Sequence, residues 1–162
     1  MHKTFTIHRR TLLAGLAAAP LMFSLSGRLR AETLPLVTVS KDPSCGCCDG
    51  WVRHIEAAGF PVRVRESDDV FDLKQRLGVP MDLASCHTAE VDGYVIEGHV
   101  PAAAMKRLLA GRPDGIGLAV PGMPAGSPGM DFPGVEPERY DVFLFDASGR
   151  SPFLRFLGAE EI

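Results

Sequence analysis

The sequence predicts an α/β fold with a mixed central sheet, flanking helices and a C-terminal hairpin. Three observations point there. Beyond residue 31, β-rich apolar runs alternate with short amphipathic segments. Each early amphipathic segment is closed by a glycine, at Gly59 and Gly78. Near the C-terminus, two apolar runs flank the turn sequence Asp146-Ala147-Ser148-Gly149. A length of 162 residues supports one ordinary domain. A chain of that order buries roughly two thirds of its unfolded surface, so its core needs no covalent staple.

The elements follow in order. Leu34 to Ser40 is an apolar, β-rich run and predicts the first strand. Trp51, Val52, Ile55 and Ala58 recur at helical spacing until Gly59. Pro61 to Arg65 alternates valine with arginine, the period of a half-buried strand. Asp69 to Leu77 is a second short amphipathic helix. This β-α-β-α order implies a parallel strand pair joined by a crossover helix. Tyr94 to Ile96 predicts a short strand. Pro101, Ala104, Met105, Leu108 and Leu109 then share one helical face, with Pro101 at the first turn. Ile116 to Val120 predicts a further strand. From Gly111 to Pro137, 13 of 27 residues are glycine or proline, so most of that stretch is an irregular loop; loops this long in compact domains are usually functional or disordered. Tyr140 to Asp146 and Pro152 to Leu157 form the hairpin.

Charge divides the chain in two. Residues 1–31 contain Lys3, Arg9, Arg10, Arg28 and Arg30 and no acid, which leaves 12 basic against 20 acidic residues in 32–162, a net charge of −8. An acidic body argues against nucleic acid and against a polybasic membrane-surface binder. The first segment reads as an export signal: Arg9-Arg10, an apolar stretch from Thr11 to Leu25, then small residues ending at Ala31. The arginine pair fits a twin-arginine route, with the general secretory route as the alternative. The apolar stretch is shorter than the roughly 20 residues that span a bilayer, so cleavage after Ala31 leaves no membrane span. Residues 1–31 are therefore the expected signal and 32–162 the expected domain, placed in the periplasm. Exposed thiols there tend to become disulfides.

Only four cysteines occur, too few for a disulfide-stapled mini-fold. Three crowd into Ser44-Cys45-Gly46-Cys47-Cys48-Asp49-Gly50, where a strand ends and a helix begins. Cys45 and Cys48 form a C-x-x-C pair in a β-α-β context, the position of a thioredoxin-like redox motif. Helix N-terminal N–H groups stabilise negative charge, so thiolates are expected to be favoured there. Cys47 disturbs a simple dithiol centre, because a third thiol competes for the disulfide. Three sulfurs within four residues suit a thiolate claw, which Cys86 can close from another loop. Soft thiolates select Cu(I), Zn(II) or iron–sulfur clusters over hard ions. One disulfide with two idle cysteines is the alternative arrangement, and a structural zinc module is another.

Met123 and Met130 lie in the Gly/Pro loop, and thioethers beside thiolates favour Cu(I). Met81 and Met105 read as core. His87, next to Cys86, is a ligand or an orienting partner of one; His99 is either a ligand or the cap of the helix that follows. His54 reads as a half-exposed surface residue. No Ser-His-Asp order, phosphate loop or paired-carboxylate pattern stands out, so no catalytic residue is assigned. The acid pairs Asp68-Asp69 and Glu160-Glu161 read as solvated surface.

Four ordered motifs carry a family resemblance: Cys45-x-Cys47-Cys48, Ser85-Cys86-His87-Thr88-Ala89, Gly93 to Pro101, and Gly122-Met123-Pro124-x-Gly126-Ser127-Pro128-Gly129-Met130. Together they resemble the small exported metal-binding proteins of CopG copper-resistance type, which are unrelated to the plasmid repressor of the same name. The resemblance runs from about Leu36 to Asp146. It implies a thioredoxin-like fold and a role in bacterial copper resistance. It also implies that Cys45, Cys47, Cys48 and Cys86 are copper-binding thiolates, with Met123 and Met130 in the matching methionine loop. The cargo would be Cu(I), as one ion or several, and the partners other periplasmic copper-handling proteins. A thiol–disulfide oxidoreductase using Cys45 and Cys48 remains the rival from another class.

Overall fold

The structure is a computed structural model that describes His2 and residues 33–162; apart from His2, the expected signal falls outside the described residues. The strands are β1 (Val37–Lys41), β2 (Val62–Glu66), β3 (His87–Val91), β4 (Tyr94–Glu97), β5 (Gly117–Ala119), β6 (Arg139–Asp146), β7 (Gly149–Leu157) and β8 (Glu160–Glu161). The helices are α1 (Gly46–Ala57), α2 (Val70–Arg76) and α3 (Ala102–Gly111). The strands form one open, mixed sheet in the order β2-β1-β3-β4-β5-β6-β7-β8. β1 and β2 are parallel, as the intervening helix requires, and so are β4 and β5; the other neighbours are antiparallel.

Side-chain alternation explains how the sheet is covered. Ala89, Val91, Tyr94, Ile96, Leu118 and Val142 point to one face, where Trp51 and Ile55 of α1 and Met105 and Leu108 of α3 complete the main core. Val95, Ala119 and Phe145 point to the other face and meet Val79 and Leu83, which follow α2. Central strand β4 is therefore buried on both sides along its whole length. The first two helices close as their sequence directs. Gly59 and Gly78 follow α1 and α2 at positive φ, and Asp69 caps α2 by accepting the Asp72 N–H at 3.0 Å.

The mixed sheet, flanking helices and C-terminal hairpin agree with the sequence expectation; four details differ. β2 is an edge strand with four of its five residues exposed, because it pairs with β1 on one side only. Its charged alternation shields that open edge, as arginines on edge strands do. β3 and the two-residue β8 were not anticipated. Met81 is exposed in the turn after α2, off its apolar face, whereas Met105 is core. His99 does not cap α3: Pro101 holds the N-cap position, and the Ala102 N–H donates instead to His54 Nε2 at 3.1 Å. Among the described residues, no helix is long and apolar enough to cross a membrane.

Candidate metal centre

The chain leaves β1 through a tight turn. The Asp42 carboxylate accepts the backbone N–H of Ser44 at 2.7 Å and its hydroxyl at 2.5 Å, and these bonds hold the Asp42 carboxyl below its ordinary value. The turn delivers Cys45 to the N-cap of α1 and Cys47 and Cys48 to its first turn. Buried Lys41 braces the same corner, pairing with Asp49 at 3.1 Å and donating to the Asp42 carbonyl. Cys45 and Cys48 are joined as a disulfide; Cys47 and Cys86 are free thiols. Cys47 Sγ lies 3.5 Å from Cys45 Sγ and 3.9 Å from Cys86 Sγ. All four sulfurs fall within 4.8 Å of one another, so the four cysteines read from the sequence do converge.

Cys86 comes from the segment that enters β3, and a buried polar network places it. Glu97, fully buried on β4, accepts the Ser85 N–H at 2.6 Å, Lys74 Nζ at 2.6 Å and the Thr88 hydroxyl at 2.7 Å. Lys74 also donates to Thr88 Oγ1 at 2.8 Å. Three elements, α2, β3 and β4, are tied together one residue from the Cys86 thiol. Gly98 makes the approach possible: its φ is +72°, and a Cβ there would lie 2.7 Å from the Ser85 Cβ. Neither Lys74 nor Glu97 was read as functional from the sequence.

Two histidines stand behind Cys86. His99 donates from Nδ1 to the Pro128 carbonyl at 2.8 Å, which fixes the tautomer and turns the Nε2 lone pair toward Cys86 Sγ, 3.1 Å away. His87 Nδ1 lies 3.4 Å from the same sulfur, and its ring packs on Trp51 with centroids 4.5 Å apart. His87 Nε2 is buried without a partner. Cys86, His87 and His99 thus form a second group of donor atoms, sharing one sulfur with the first. Burial, then the neighbouring Cys47, pushes the Cys86 thiol up to about 12. The helix-start argument for favoured thiolates does not extend to Cys86, which lies off that helix.

Burial also lowers His54, His87 and His99 below the ordinary 6.5. A neutral imidazole is favoured in the folded state, so the unfolded chain binds more protons once pH falls below about 6.5. The metal-free protein is therefore expected to hold its Tm between pH 8 and 7 and to lose stability progressively below 6.5. Thermal melts from pH 8 to 5 test this; a Tm that rises on acidification contradicts it.

The Gly/Pro loop lies on the start of α1. Gly129, at φ +87°, packs so closely that a Cβ would lie 2.4 Å from the Cys47 carbonyl and 2.6 Å from the Trp51 nitrogen. On the other side of the loop, the Ser85 hydroxyl donates to the Gly122 carbonyl at 2.7 Å. The loop backbone therefore braces both Cys47 and Cys86. Of its methionines, Met123 is largely exposed and Met130 half-buried. Gly129→Ala meets backbone rather than a yielding side chain, so the loop must lift. A loss of roughly 1–3 kcal/mol is expected, from the strained φ and the clash, readable in denaturant melts. Unchanged stability would mean that the loop is not seated this way.

The site brings together four sulfurs and two imidazoles and no carboxylate. That donor set fits soft, thiophilic metal ions and suits hard ones poorly. The fold and the site together define a small α/β protein with a cysteine-lined cluster whose donors fit a thiophilic metal. Comparison with known proteins agrees. Two solved structures, copper resistance protein CopG in form 1 and in form 2, each match at 43% identity and a TM-score of 0.71. They cover 77% and 76% of this chain and 99% and 98% of their own. Residues 83–130, which include Cys86, His87, His99 and both loop methionines, match the family described as protein of unknown function DUF411. No curated protein matches the chain. The chain belongs to the copper resistance protein CopG family.

Proposed function

We propose that this protein is an exported, periplasmic Cu(I)-binding protein that contributes to copper resistance, with Cys45, Cys47, Cys48 and Cys86 as its ligands. The observation that carries the reading is the convergence of four sulfurs, three from the start of α1 and one from the start of β3. Thiolates without carboxylates favour Cu(I), and the similar solved structures bear the name copper resistance protein. Sulfurs 3.5 to 3.9 Å apart around a central Cys47 also suit bridging, and so more than one ion. His87 and His99 orient Cys86 or complete the coordination at its edge; Met123 and Met130 are held as auxiliary donors on the covering loop. Zinc is the competing occupant of the same sulfurs. Export rests on the basic and apolar pattern of residues 1–31.

The fold reading extends to a thioredoxin-like arrangement. A β-α-β unit (β1, α1, β2) is followed by β3, β4 and α3, with C-x-x-C at the start of the first helix. The Cys45–Cys48 disulfide favours a second reading, thiol–disulfide exchange by that pair. One experiment separates the two: Cu(I) titration of the reduced protein against a chromophoric chelator, alongside a disulfide reductase assay, for wild type and Cys47→Ser/Cys86→Ser. Copper binding as the function predicts that the variant loses Cu(I) affinity. Retained affinity together with retained reductase activity would favour the oxidoreductase.

A further inference from the structure

We propose that, while Cys45 and Cys48 remain joined, Cys47 and Cys86 form a two-sulfur site of their own that holds one Cu(I) ion, so that the disulfide sets the capacity of the centre. The inference rests on Cu(I) being the cargo and deepens that reading. Sulfurs in a disulfide carry no charge and do not act as thiolate ligands. In the structure, that removes Cys45 and Cys48 from the donor set and leaves Cys47 and Cys86 as free thiols 3.9 Å apart. A thiolate–metal bond of roughly 2.3 Å lets two sulfurs on one ion stand up to ~4.6 Å apart, so this gap can be closed by a single ion without moving the backbone. Two-coordinate thiolate binding suits Cu(I), a soft ion, better than zinc, which takes four ligands.

Each half of this pair has contacts of its own besides the disulfide. Cys47 is held in the first turn of α1, with its carbonyl pressed against Gly129 of the loop. Cys86 is held by the Ser85 N–H bond to Glu97, the Ser85 hydroxyl bond to Gly122, and the His99 ring at 3.1 Å. The two sulfurs thus meet from separate elements, each fixed by its own contacts.

The chemistry balances simply. One Cu(I) displaces two thiol protons to solvent and leaves a two-thiolate complex of net charge −1. A dithiol reductant then supplies two electrons and two protons to the Cys45–Cys48 bond and leaves as its own disulfide. That step frees two more thiols and enlarges the site to four sulfurs. In an oxidising compartment the protein therefore keeps a one-ion form, and reduction converts it to the larger store.

The test is anaerobic Cu(I) titration of the full chain, in the presence of bathocuproine disulfonate, in two forms. One is the disulfide form, with two titratable thiols and the Cys45–Cys48 bond placed by peptide mapping; the other is fully reduced. The disulfide form is expected to take one equivalent and the reduced form more than one. Cys47→Ser and Cys86→Ser should each remove the single equivalent, with affinity down about 100-fold or more, a loss at least as large as the 10–100-fold expected for an outer-shell change. Cys45→Ser/Cys48→Ser should retain one equivalent whether or not reductant is present. If the disulfide form takes no Cu(I) while the reduced form fills, this inference falls and the proposed function stands. If neither form competes for Cu(I), both fall.

Discussion

Replacing Cys86 by serine is expected to lower the Cu(I) affinity of the reduced protein by about 100-fold or more and to reduce the number of ions bound. Changes to groups that merely orient a ligand already cost 10–100-fold, and this substitution removes a ligand that arrives from a different element than the other three. Its sulfur also lies at the junction of two donor groups, 3.9 Å from Cys47 Sγ and 3.1 Å from His99 Nε2. A serine hydroxyl is a hard, protonated oxygen and does not replace a thiolate on Cu(I). The fold should survive, because Ser85, Glu97 and the loop contacts do not involve the sulfur. Trp51, packed on His87, provides an internal check: unchanged emission of the metal-free variant reports an intact core. Undiminished Cu(I) binding would place the site elsewhere.

The largest expected effect on stability comes from Lys74. Removing one partner of a buried ion pair leaves the other charge stranded in low dielectric, at a cost of about 3–5 kcal/mol. Lys74→Met strands Glu97, a carboxylate with no exposure to solvent. For a domain of this size the loss corresponds to a Tm lower by roughly 10–20 °C. Adding Glu97→Gln removes the stranded charge and keeps a carbonyl oxygen for the Ser85 N–H. Lys74→Met/Glu97→Gln should therefore recover most of the loss, while Glu97→Leu alone should not. Calorimetry of the three variants reads this directly. Lys74→Met as stable as wild type would show that the ammonium contributes nothing to the fold.

That ion pair also shows where the sequence stopped being informative. A lysine and its flanking charges on a short amphipathic helix look like a solvated face, and the partner lies 23 residues away on a strand. An acid at the end of the apolar run Tyr94-Val95-Ile96-Glu97 was the available hint, since both faces of that strand are covered. β3 escaped because His87-Thr88-Ala89-Glu90-Val91 mixes polar and apolar residues on a strand whose polar side chains are buried by specific partners. The Asp92-Gly93 pair, both at positive φ, was the turn signal that announced it. By contrast, α1, the β1–β2 pair and the C-terminal hairpin follow from periodicity and turn residues alone. The site divides in the same way. Crowding of three cysteines at a helix start was legible, and Cys86 was read as able to close the site from another loop before the motif resemblance added to that reading. The state of the sulfurs, one disulfide and two free thiols, is the alternative arrangement the sequence offered; choosing it over four free thiols depends on side-chain distances in the folded chain. Not legible were the roles of Gly129 and Gly98, which act through close backbone approach to Cys47 and Ser85 respectively.

The central claim is that the four cysteine sulfurs are the ligands of Cu(I). X-ray absorption at the copper edge, on the reduced protein loaded anaerobically with Cu(I), tests it most directly. The account predicts a Cu(I) edge and a first shell dominated by sulfur, with sulfur coordination falling in Cys86→Ser. A first shell of nitrogen and oxygen, or a protein whose equimolar zinc survives excess Cu(I), would contradict it.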